Sequence, residues 1–214
     1  MSAVTGATTS AEPRRLRADA ARNRQALIDA AERLFARRGL AATLDDIAAE
    51  AGVNVATAYR HFANKQQLAS AFLEQSVDRA IAIATDASAC SDPWDGLVLL
   101  LERELELMGD NRCLIDVFSR AYGTDWFDRL HERVNPLVAD LIRRGQGCGV
   151  VRSDVTAEDF GVILPMLGTV TGPDPATALS LRRRYLSLVL AGLRPSPIAL
   201  DGAPPSEADI RPAR

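Results

Sequence analysis

The side chains with chemistry to offer a ligand gather in one short stretch, TLDDIAAEAGVNVATAYRHF, residues 43–62. Thr57 pairs a hydroxyl, which donates to or accepts from a base edge, with a methyl that packs on thymine. Tyr59 has an aromatic body ending in a hydroxyl, and His61 an imidazole; both groups suit phosphate oxygens. Ala56 is small enough to let a helix backbone approach the floor of a groove, and Asn54 and Val55 stand beside it. For Tyr59 and His61 the plainer alternative, packing alone, stays open. Lys65 follows in the first turn of the next helix, where a cation opposes the helix dipole by about 0.3–1 kcal/mol. A phosphate bound at that helix end turns the same cost into attraction.

These residues need a scaffold, and the spacing supplies one. Leu44, Ile47, Ala48 and Ala51 recur at i, i+3, i+4, i+7, one face of a short helix. Thr43 is its N-cap, with Asp46 three residues on as the capping partner. Gly52 makes the turn. Asn54 caps a second helix over about 54–61, with Val55, Ala58 and Phe62 at helical spacing. Two short helices joined by a glycine turn form the helix-turn-helix plan, whose second helix enters a DNA major groove. A preceding helix over about 18–38 buries Leu27, Ala30, Ala31, Leu34 and Phe35 and ends at Gly39. Asn64, with Gln67 as its partner, starts a further helix expected to run through Leu68 and Phe72 to about 84. Arg14, Arg15 and Arg17 read either as a solvated helix start or as a basic arm reaching phosphates.

Residues 22–75 resemble the DNA-binding domain of the TetR family of bacterial transcriptional regulators. The segments LIDAAERLFARRGL, TLDDIAAEAGV and TAYRHFANKQQL carry the resemblance. It implies that Thr43, Tyr59, His61 and Lys65 touch the DNA backbone, and that Asn54, Val55, Ala56 and Thr57 lie near the bases. The chain departs from many relatives in having Val55 where a long basic or hydroxyl side chain is common, and Ala56 where Gly is.

Composition bounds the rest. The chain has 214 residues, 47% hydrophobic, with a net charge of −3. Residues 14–83 carry eleven Lys or Arg against eight Asp or Glu, and the remainder fourteen against twenty. A mildly basic head on an acidic body suits local phosphate contact. Cys90, Cys113 and Cys148 lack metal-ligand spacing and read as reduced thiols. No charged and apolar leader and no stretch of transmembrane length is apparent, so a cytoplasmic location is expected, without metal or cofactor.

The expected fold is all-α: a tail over 1–13, a DNA-binding domain with its connecting helix over 14–83, a helical ligand-binding and dimerisation domain over 84–194, and a disordered tail over 195–214. Helices are expected over about 93–108, around Leu114–Tyr122, and over about 125–145 with a bend at Pro136, 157–170 and 175–193. Trp94, Met108, Phe118, Tyr122, Trp126, Phe127 and Met166 read either as the lining of an apolar pocket or as core at helical spacing. Arg112, Arg120, His131 and Glu132 are candidate polar anchors. The run Glu102, Glu104, Glu106 reads as a solvated face; Arg182, Arg183, Arg184 reads either as a solvated face or as rim charge on a subunit interface. The family resemblance implies that the last two helices pair as a four-helix bundle in a homodimer, through Phe160, Leu164, Leu167, Leu186, Val189 and Leu190. It also implies a ligand-responsive repressor on a pseudo-palindromic duplex operator. A regulator without a small-molecule ligand, whether activator or protein-controlled, is the alternative. An enzyme is the remote one, since no phosphate loop, paired histidines or nucleophile motif is present.

Overall fold

The computed structural model describes residues 11–108 and 125–211, and among these every regular element is helical. The helices are α1 (Ala11–Arg38), α2 (Leu44–Ala51), α3 (Val55–His61), α4 (Lys65–Ser88), α5 (Pro93–Met108), α6 (Asp125–Gly147), α7 (Ala157–Gly168), α8 (Pro175–Gly192) and α9 (Glu207–Ile210). A 3-10 turn, Gly39–Ala41, joins α1 to the loop before α2. The chain divides into two compact units, Met1–Phe72 and Leu73–Arg214, and α4 passes through the boundary. No described helix is long and apolar enough to cross a membrane. The stretch read as a helix around Leu114–Tyr122, and with it Phe118, Tyr122, Arg112, Arg120 and Cys113, lies outside the described residues, as does the Met108 side chain.

In the first unit, Leu27, Ala30, Ala31, Leu34 and Phe35 of α1 are all at most 4% exposed, as their spacing demands. They meet Leu44, Ile47 and Ala48 of α2 and Ala58 and Phe62 of α3, all buried. Each large side chain so buried contributes about 1.5–3 kcal/mol. Helix α1 begins by Ala11, earlier than the expected 18; Arg15 and Arg17 are exposed on it rather than on a separate arm.

The second unit is a helical bundle whose directions are fixed by long-range pairs. Arg129 of α6 pairs with Glu74 of α4 at 3.6 Å, and Arg144 of α6 donates to the carbonyls of Ser88 and Cys90 at 2.7 and 3.1 Å. Helices α4 and α6 therefore run parallel. A Cβ placed on Gly96 of α5 would stand 2.6 Å from the Ala87 carbonyl and 2.9 Å from Leu141, so the start of α5 meets the far ends of both and α5 runs back against them. Leu97, Leu100, Leu101 and Leu105 of α5 join Val138, Leu141 and Ile142 of α6 in one core. Helix α6 runs past Gly145, whose missing side chain lets Val151 approach: a Cβ there would sit 2.6 Å from a Val151 methyl.

Three expectations fail in this unit. Residues 195–211 are not a disordered tail. Arg152, 8% exposed, binds Asp154 through two nitrogens at 2.5 and 2.9 Å and donates to the carbonyls of Gly192 and Ile198. Asp154 in turn accepts from the Leu200 amide at 2.8 Å, and these bonds hold its carboxyl well below the usual range. Farther on, α9 packs Ile210 against Gly161, and Arg211 pairs with Asp128 and Glu207. Glu104 is not on a solvated face; it is 8% exposed, while Glu102 and Glu106 are exposed. Arg182 likewise is 5% exposed, with Nε donating to the Val170 carbonyl at 3.0 Å, whereas Arg183 and Arg184 are exposed.

Candidate nucleic-acid interface

Helix α3 is seven residues long, too short to persist alone, and local caps define its ends. The Asn54 side chain accepts from the Ala56 amide at 2.9 Å, and the Phe62 amide closes the other end on the Ala58 carbonyl at 2.9 Å. Upstream, Thr43 and Asp46 form the expected reciprocal cap on α2: the Asp46 amide donates to the Thr43 hydroxyl oxygen at 3.1 Å, and the Thr43 amide to the Asp46 carboxylate at 2.9 Å. The Thr43 hydroxyl also donates to the Asp46 carboxylate at 2.7 Å, and that bond, the Thr43 amide and Arg38 hold the Asp46 carboxyl below its ordinary range. Gly52 takes φ +66 between the helices, and its amide reaches back to the Ala48 and Ala49 carbonyls. The turn thus rests on the one residue type that adopts this backbone freely.

With Ala58 and Phe62 buried, α3 turns Asn54, Val55, Ala56 and Tyr59 outward. Val55 is 42% exposed and Tyr59 49%. Thr57 and His61 are half-buried. Thr57 accepts from the Arg60 guanidinium at 2.8 Å, which orients its hydroxyl. The His61 ring lies 6.5 Å from that of Phe62. Lys65 opens α4 and is half-buried. Before it, the Asn64 side chain accepts from the Gln67 amide at 2.9 Å, and Gln67 accepts from the Ala63 amide at 2.8 Å. The predicted cap at Asn64 is present, with Gln67 reaching one residue farther back than a capping box does.

Asp45 belongs to this face and was missed by sequence reasoning, and Arg24, one of the basic residues ahead of the first stripe, has a partner that the sequence did not name. Asp45 accepts a hydrogen bond from the Tyr59 hydroxyl, and the bond and the carboxylate charge push the phenol above its ordinary value. Arg24 lays its guanidinium over the Phe62 ring, 5.1 Å from the centroid. Asp45 had a signal: it follows the N-cap, where acidic residues favour the helix dipole, but nothing local names Tyr59 as its partner.

Those residues proposed for the second unit that lie among the described ones have differing surroundings. Trp94 is half-buried with the Arg194 guanidinium 3.4 Å from its ring centroid, so one face is already covered. Trp126 meets Phe127 edge-on at 6.0 Å, and Phe127, 8% exposed, stacks on His131 at 5.9 Å. Met166 is 53% exposed and lines no interior, and Glu132 is exposed. Among the candidate dimer residues, Phe160, Leu167 and Leu186 are at most 3% exposed and face their own core, while Leu164, Val189 and Leu190 are partly buried. The stripe is real, but its inward phase serves the protomer itself.

Residues 27–72 match the family model described as "Bacterial regulatory proteins, tetR family", and residues 92–195 that of "Transcriptional regulator SbtR-like, C-terminal domain". The HTH-type transcriptional repressor Rv3405c of Mycobacterium tuberculosis is 30% identical over 173 residues, 79% of this chain and 88% of that protein. The HTH-type transcriptional regulator TtgR of Pseudomonas putida is 38% identical over 108 residues, half of each chain. The chain thus spans only about half the length of some curated relatives it matches. In structure it is similar to a TetR transcription regulatory protein from Mycobacterium vanbaalenii, with a TM-score of 0.63 and 29% identity, covering 84% of this chain and 99% of that one. An outward-facing, doubly capped helix after a glycine turn and two matching family models lead to one conclusion: the chain belongs to the TetR family of bacterial regulatory proteins.

Proposed function

We propose that this chain is a DNA-binding transcriptional repressor that grips a pseudo-palindromic operator as a homodimer and releases it when a small, largely apolar effector occupies the second unit. The observation that carries the reading is the exposed face of α3, held by caps at both ends and flanked by the hydroxyls of Thr43 and Tyr59. On it Asn54, Val55, Ala56 and Thr57 address base edges. Thr43, Tyr59, His61 and Lys65 address phosphates. The name of the relative Rv3405c, a repressor, supports the sign of regulation.

One α3 reads only a few base pairs, so specificity calls for two, related by a two-fold axis. The partner-facing residues are reassigned from the buried stripe to the exposed apolar side chains of α7 and α8: Val162, Met166, Tyr185 and Leu188, exposed by 48, 53, 46 and 63%. Leu164, Val189 and Leu190 border them. Effector binding favours a conformer in which the two reading helices no longer match successive major grooves, and operator affinity falls by the coupling factor.

Selection of random duplex DNA on the purified protein tests the reading. An enriched palindrome with half-sites one helical turn apart is expected, and a Tyr59→Phe, Lys65→Ala double variant should lose it. A folded dimer that enriches nothing, or a double variant that binds unchanged, overturns the docking geometry.

A further inference from the structure

This inference rests on the reading that the second unit admits an effector, and names the chemistry of that effector. Glu104 shares the inward face of α5 with Leu100, Leu101 and Leu105, and its Oε1 has no hydrogen-bond partner among the described residues. The Nε2 of His131 on α6 is a second buried polar atom in the same condition. The helix directions bring the two to one level. From the contact of Gly96 with Leu141, Glu104 lies eight residues along α5 and His131 ten residues back along α6, about 12 and 15 Å at 1.5 Å per residue.

Among the described residues, arginines of the surrounding helices have partners of their own. Arg182 donates to the Val170 carbonyl, Arg183 to Glu106 at 3.1 Å, and Arg144 to the Ser88 and Cys90 carbonyls, with Asp140 at 3.3 Å. Arg129 faces Glu74. On α7, Glu158 accepts from Asn135 of α6 at 3.1 Å. His131 turns Nδ1 toward Glu207 at 3.7 Å, and the stacked Phe127 ring holds the imidazole in place. A buried carboxylate able to carry a full negative charge thus stands among the leucines of α5, with a second unpartnered polar atom, His131 Nε2, at about the same level of the bundle.

We propose that Glu104 anchors an effector site for a protonated amine borne on an apolar body, its carboxylate accepting from the ammonium at a level of the bundle that His131 shares. An alcohol or other neutral donor satisfies a lone pair but leaves the carboxylate charge uncompensated; a cation satisfies both. Burial pushes the Glu104 carboxyl up to about 7, so near neutral pH the group stands ready to ionise when a cation arrives.

The test uses matched pairs that differ only in the terminal group: tryptamine against tryptophol, phenethylamine against 2-phenylethanol, and 4-phenylbutylamine against 4-phenylbutanol. Binding to the full chain at pH 7 is followed by thermal shift and calorimetry, with wild type and Glu104→Gln, whose folding is checked by circular dichroism. At least one amine should bind tenfold or more tightly than its alcohol, and Glu104→Gln should abolish that preference while leaving the alcohols unchanged. If no amine exceeds its alcohol, or if the preference survives Glu104→Gln, the site is overturned. A parallel titration against the selected operator separates the two readings. Amines that need Glu104 yet leave operator affinity unchanged refute effector-controlled release and keep the site. A neutral compound that releases operator while amines ignore Glu104 does the reverse.

Discussion

Replacing Glu104 by Gln should stabilise the protein, and should do so only above mildly acidic pH. An ordinary glutamate ionises near 4.5, whereas burial raises Glu104 to about 7. The sign follows from which state holds the proton. Below about pH 4.5 both folded and unfolded chains are protonated here, and no penalty exists. As pH rises toward 7 the unfolded chain gives up the proton and the folded one keeps it, so stability falls. Above about 7 the folded carboxylate is charged with Oε1 unpartnered among the described residues, and the full difference, about 3 kcal/mol, weighs against folding. At pH 5 the same linkage leaves about 1 kcal/mol. For a chain of this size each kcal/mol moves the melting temperature by roughly 2–4 °C. Glu104→Gln should therefore melt about 6–12 °C above wild type at pH 8 and within about 4 °C at pH 5. Differential scanning calorimetry at four pH values between 5 and 8 decides it. A gap that is the same at every pH refutes the reasoning, because a side chain that titrates as in water carries no pH-dependent cost.

Other outcomes follow from the described contacts. Lys65→Ala should weaken binding to all duplexes alike and lower the slope of log K against log salt by about 1 per protomer, read by fluorescence anisotropy at several salt concentrations; a change confined to the operator would assign Lys65 to base reading instead. Asp45→Asn removes a negative charge beside the Tyr59 hydroxyl and should tighten DNA binding, most at low salt, with the Tyr59 phenol titrating nearer its ordinary value; unchanged affinity would place Tyr59 away from phosphates. Gly145→Ala pushes a methyl to 2.6 Å from Val151 and should cost about 1–3 kcal/mol in urea denaturation, whereas a neutral result would mean that Val151 has room to move.

The first unit was legible because its determinants are local. A cap, a glycine turn and an i, i+3, i+4 stripe lie within a dozen residues of one another, and each constrains its neighbours directly. Helix existence in the second unit was legible on the same ground. What each stripe faces was not, since a stripe of Phe160, Leu167 and Leu186 has the same period whether it meets its own core or a second chain. Glu104 was recoverable in principle. Residues two apart cannot share a helix face, so Glu102, Glu104 and Glu106 cannot all be solvated on one side, and Glu104 falls three after Leu101 on the inward phase. The order of residues 195–211 was hidden because its anchors, Arg152, Asp154 and Asp128, lie some forty to eighty residues away and no local pattern pairs them.

Those anchors bear on how the protein is handled at the bench. The segment after Leu193 is stitched to the bundle at the Arg152 guanidinium, at the Asp154 carboxylate and again through Ile210 and Arg211. Trimming the chain back to its last long helix would strip the Ile198 carbonyl from the buried Arg152 and the Leu200 amide from its partner Asp154, and bare the flank of α7 at Gly161. A bulky fusion placed directly on that segment would pull against the same stitches. A version shortened there should not be taken as a neutral stand-in for the chain that carries the segment.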